Sequence, residues 1–91
     1  MTNDQAEYIA SVRNAYMDFV QKTINKRKLG NRFESRFDTI KLIYLKKYIE
    51  ILYNYFSAEP GDDNYFDAVK AMSCMEHISE ITGKKYFLKL T

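Results

Sequence analysis

Eighteen consecutive residues, Thr39 to Phe56 (TIKLIYLKKYIEILYNYF), contain no Gly and no Pro. Wound into a helix, they place Lys46, Lys47, Glu50 and Asn54 on one narrow polar stripe. Ile40, Leu42, Ile43, Tyr44, Leu45, Tyr48, Ile49, Ile51, Leu52, Tyr53, Tyr55 and Phe56 are apolar or aromatic. More than half of the circumference is then apolar or aromatic, and such a helix has to be covered by other elements. The chain is therefore expected to pack around this stretch.

Helix signals flank it on both sides. Upstream, Ala6, Ile9, Val12, Tyr16, Phe19, Val20, Thr23 and Ile24 recur at steps of three and four, which marks an amphipathic helix over about 4–29. Thr2 and Gln5 have the spacing of a capping box. Lys26, Arg27 and Lys28 fill the last turn, where cations are favoured, and Gly30 follows as a stop. The central helix is expected over about 32–57. Asn31 with Glu34 supplies its preferred cap and Ser35 with Asp38 a second candidate. With the Asn31 start, Phe33 and Phe37 join the apolar face. Pro60-Gly61 breaks the chain, and Asp62, Asp63 or Asn64 can cap a third helix over about 64–82. Its expected inner face is Tyr65, Ala68, Val69, Met72, Met75, Ile78 and Ile81, and Thr82-Gly83 ends it. The last residues, KKYFLKLT, are rich in strand formers; a lone strand is unstable, so this tail packs as a coil, disorders, or pairs with another chain. The expected fold is all-α: a single-domain three-helix bundle over residues 1–91, short connections making neighbours antiparallel, with an extended C-terminal tail.

At 91 residues, such a chain buries roughly 60–65% of its unfolded surface. Yet 46% of its residues are apolar, with eight Tyr and six Phe. That load exceeds what a small interior holds, and Tyr favours borders between dry and wet surroundings. An aromatic partner interface is expected, with Tyr44, Tyr48, Tyr55 and Phe56 as anchors and Tyr86, Phe87 and Leu88 docking the tail. Net charge is only +2, which disfavours an obligate nucleic-acid binder. The charge is unevenly spread. Lys22, Lys26, Arg27, Lys28, Arg32 and Arg36 oppose Glu34 alone, whereas Glu59, Asp62, Asp63, Asp67, Glu76 and Glu80 oppose Lys70 alone. The basic segment reads as a solvated helix end, as a polyanion contact, or as a contact for an acidic protein.

Little points to catalysis. Cys74 and His77 stand one turn apart, but the chain has no second Cys or His to complete a zinc site. The acids at 62–67 fit helix capping better than a calcium loop, whose Gly and Glu positions are unmatched. There is no Gly-rich phosphate loop, nucleophile elbow or HExxH. No enzyme activity, cofactor or metal is expected. One cysteine allows no internal disulfide, no apolar run is long enough to span a bilayer, and the polar N-terminus is unlike a signal peptide. A soluble, non-secreted protein is expected.

Two stretches, LIYLKKYIEILYNYF (Leu42–Phe56) and HISEITGKKYFLKL (His77–Leu90), resemble small helical virion structural proteins of tailed bacteriophages. The Lys, Asn, Tyr and Ile bias suits an AT-rich genome of that kind. The resemblance implies a non-enzymatic, multi-copy capsid or neck-region subunit located in the virion or the host cytoplasm, and it carries over no functional residues. The alternative expectation is a small regulator that binds nucleic acid or a host protein.

Overall fold

The computed structural model describes residues 1–58, 65–84 and 88. Three helices follow in order: α1 (Asn3–Lys28), α2 (Arg32–Phe56) and α3 (Tyr65–Thr82). They form the expected all-α three-helix bundle. The radius of gyration is 14.7 Å, against about 12 Å for a compact chain of this length, so the bundle is elongated.

The boundaries have local causes. Thr2 Oγ1 accepts from the Gln5 backbone N–H at 3.1 Å, and Gln5 Oε1 accepts from the Thr2 N–H at 2.8 Å, closing the expected capping box. At the other end of α1, the Gly30 N–H donates to the Arg27 carbonyl and the Asn31 N–H to the Lys26 carbonyl. This paired closure needs a left-handed residue, and Gly30 supplies it at φ +84°. The start of α2 differs from expectation. Asn31, at ψ 64°, makes no side-chain cap bond, and Glu34 approaches Lys26 instead of folding back on Asn31. The expected caps at 62–64 lie outside the described residues.

Helix α2 is central, packed by α1 on one side and α3 on another. The core joins Tyr8, Ile9 and Val12 of α1, Leu45, Ile49, Leu52 and Phe56 of α2, and Ala71, Cys74, Met75 and Ile78 of α3. Leu45, Leu52 and Met75 are the largest side chains sealed within it. Tyr8 and Phe56 meet edge to face with ring centroids 6.5 Å apart.

The inner face of α3 is rotated from the expected one. Val69 and Met72 are mostly exposed, while Ala71 and Cys74 are buried. Apolar residues surround this helix, so periodicity alone selects no face. Ala71 and Cys74 share the inner face with the bulkier Met75 and Ile78. Phe33 and Phe37 are also excluded from the core, at 75% and 54% exposure. Leu88 packs against the core cluster of its own chain, and Lys84 Nζ lies 3.4 Å from Ser11 Oγ of α1.

Candidate protein-docking surface

Helix α3 is shorter than α2 and does not cover all of it. Tyr48 stacks on His77 with ring centroids 5.0 Å apart. Lys41, Tyr44, Glu80 and Ile81 border the same depression, so the end of α3 lies beside Lys41 and Tyr44. Among the described residues, 32–40 of α2 project beyond it with only α1 beside them, and Tyr44 marks the edge of this overhang. In that overhang Phe33, Phe37, Ile40 and Tyr44 follow i, i+4, i+7, i+11 spacing and share one face. The same face continues to Ile51 and Tyr55, which are half-buried against the core. Together with the adjoining Ile43, the four side chains of the overhang are 50–75% exposed. Phe33 and Phe37 contact each other edge to face at 5.1 Å. A contiguous apolar stripe three turns long is unusual on the surface of an isolated protein.

The expected anchors divide across this surface. Tyr44 is half-exposed at the end of the stripe. Tyr48 is half-buried, between Tyr44 at 6.3 Å and His77. Tyr55 packs against the core beside the Phe56 ring at 5.8 Å. Phe56 is only 5% exposed and belongs to the interior, so it is no surface anchor. Helical periodicity puts it on the face shared with Leu45, Ile49 and Leu52, which α1 and α3 jointly seal. Leu88 is likewise turned to its own core rather than held out for a neighbour. Tyr86 and Phe87 lie outside the described residues. Phe33, Phe37 and Ile40 are exposed apolar residues outside the expected anchor set; the sequence placed Phe33 and Phe37 on the apolar face without showing that the face is uncovered there.

The basic segment is only partly free. Lys26 Nζ donates to Asp38 Oδ2 at 2.7 Å and lies 3.8 Å from Glu34 Oε2. The Asp38 hydrogen bond, helped by the charges of Asp38 and Glu34, raises the Lys26 pKa above its ordinary value. Arg27 Nη2 donates to Thr39 Oγ1 at 3.1 Å. Arg27, Arg32, Ser35 and Arg36 line one shallow depression at the hairpin tip, and Lys22 and Lys28 are exposed outside it. A polyanion would thus meet three gathered arginines, not six free cations.

The α1–α2 seam opposite α3 carries a groove of about 490 Å³ lined by Arg13, Tyr16, Lys46, Ile49, Glu50 and Tyr53. The Arg13 guanidinium sits 5.3 Å from the Tyr53 ring centre, which partly fills this space with a cation–π contact. Cys74 is buried, and burial pushes its thiol pKa up, away from the thiolate that nucleophilic or metal chemistry needs. Among the described residues no cluster of His, Cys, Asp and Glu is arranged to hold a metal ion. No described helix is long and apolar enough to cross a membrane.

Comparisons with protein families, with curated proteins and with solved structures found no match to this chain.

Proposed function

We propose that this chain is a non-enzymatic protein–protein interaction subunit of a larger assembly. The virion setting implied by its sequence resemblance is the context proposed for it. One observation supports the reading above others: Phe33, Phe37, Ile40, Ile43 and Tyr44 form a bare apolar stripe on the overhang of α2. Burying such aromatic and aliphatic anchors supplies most of the energy of a protein interface, and charges at the rim set orientation. The alternative, a regulator that binds nucleic acid, draws support from Arg27, Arg32 and Arg36 around one depression. It is weakened by the engagement of Lys26 with Asp38.

Replacing Ile40 with a photo-crosslinking benzoylphenylalanine, in cells where the protein acts, tests the reading. A discrete covalent protein adduct is expected from position 40 and not from Asn14, an exposed polar position on α1. No adduct at position 40, or the same adducts from both positions, overturns it.

A further inference from the structure

The stripe on α2 has a charged border of a single dominant sign. Arg36 and Lys47 lie along one side and Lys41 along the other, all exposed. Two acids lie near the stripe: Glu34, within 3.8 Å of Lys26, and Glu80 of the chain's own α3, which borders the depression shared with Lys41 and Tyr44. An occupant therefore needs an apolar strip accompanied by carboxylates. Two copies of the stripe facing each other would set these cations against one another, which disfavours a symmetric α2–α2 contact. The C-terminal segment of the same chain is a poor occupant as well. Of its described residues, Lys84 reaches Ser11 of α1 and Leu88 is already packed on the core.

The outer face of α3 has the required chemistry. Opposite the buried Ala71, Cys74, Met75 and Ile78, it presents Val69, Met72, Ser73, Glu76 and Glu80, all exposed. Val69 and Met72 are 58% and 56% exposed, large values for apolar side chains. Glu76 and Glu80 stand one turn apart beside them, and Glu80 lies 3.8 Å from His77 Nδ1. The two surfaces also match in length. Phe33 to Tyr44 and Val69 to Glu80 each span about 16 Å of helix.

We propose that the occupant of the α2 stripe is a second copy of this chain, docked through the outer face of its α3. Resting on the docking function proposed above, this assignment identifies the partner. The two surfaces are different, so the contact is heterologous. Each copy keeps one free stripe and one free α3 face, and addition continues head to tail until a ring closes or a filament extends.

Light scattering on the purified full chain tests this, with two surface variants confirmed as helical by circular dichroism. One carries Phe37→Glu and Ile40→Glu on the stripe; the other carries Met72→Lys and Glu76→Lys on α3. The wild-type mass should grow beyond a dimer with concentration. Each variant alone should self-associate at least about thirtyfold more weakly. Their equimolar mixture should stop at a dimer, because only one pair of intact faces remains. A chain with Glu76→Lys and Arg36→Glu together should assemble again. Self-association of the α3 variant equal to that of wild type overturns the proposal. So does a wild-type chain that stays monomeric at every concentration. In that second case, an adduct from position 40 to a different protein leaves the docking function standing and rejects only the second copy. Absence of both signals rejects both.

Discussion

Lys26 Nζ donates to Asp38 Oδ2 at 2.7 Å across the turn between α1 and α2, and only 7% of Asp38 is exposed. This ion pair, with the neighbouring Glu34, fixes how the two longest helices leave their turn. Removing the cation leaves a nearly buried carboxylate without its charged partner, which costs more than the pair contributes. Lys26→Met should lower the urea midpoint of dilute protein at pH 7, whereas Lys22→Met should leave it unchanged. The Lys26 pKa is raised in the folded state, so its contribution is complete below the ordinary lysine value of 10.5 and is lost as pH rises through the folded value. The gap between wild type and Lys26→Met should close in that alkaline range. A gap that persists there contradicts the assignment.

Tyr8 adds a second alkaline effect. Tyr8 is 3% exposed, and burial, followed by the influence of Cys74, pushes its phenol pKa from 10.0 up to about 12. Above pH 10 the unfolded chain releases this proton while the folded chain retains it, so stability falls as pH rises from 10 toward 12. The full effect is about 2–3 kcal/mol. Tyr8→Phe should remove that part of the alkaline loss, read as a smaller change in denaturation free energy between pH 9 and 11.5. An identical alkaline loss in the variant would mean that the phenol does not titrate late.

The fold was legible because its signals were redundant. Thr2 with Gln5, Gly30, and the eighteen residues from Thr39 each pointed to the same three-helix arrangement, and local rules that agree specify one answer. The faces were less legible, for two physical reasons. On α3, apolar residues occur all round, so periodicity leaves the choice between Val69 or Met72 and Ala71 or Cys74 open. On α2, Phe33 and Phe37 continue the same periodicity as the inward-facing Ile51 and Tyr55. Their exposure follows from the length of α3, which stops beside Tyr44; no pattern within α2 carries that information. The exposed stripe thus arises from a mismatch in length between two helices.

The C-terminal segment gives a third test. Leu88 is half-buried against the core cluster, although it is separated from α3 by residues outside the described set. A partly buried leucine contributes less than a sealed one, so Leu88→Ala should cost about 1–2 kcal/mol, below the usual range for a core leucine. Truncation after Gly83 should lower stability by at least as much. An unchanged denaturation midpoint in both proteins would release Leu88 from the core and return the tail to the role of an intermolecular arm.

Phe37 and Phe56 lie on the same helix and make opposite predictions. Phe56 is 5% exposed, packs edge to face on Tyr8, and closes one end of the core. Truncating it removes buried area and opens a cavity, so Phe56→Ala should destabilise the fold by about 3–5 kcal/mol. That is a large share of the roughly 5–15 kcal/mol available to a small domain. Phe37 is 54% exposed and touches Phe33 on the outside. Its folded-state contacts are few, so Phe37→Ser should change monomer stability by no more than about 0.5 kcal/mol. The same substitution removes an aromatic from the centre of the stripe and should weaken assembly strongly. Urea denaturation at low concentration and light scattering at high concentration, on the same two variants, separate these effects. Strong destabilisation of the dilute monomer by Phe37→Ser would place that ring in the chain's own interior and leave the stripe with no claim to be an interface.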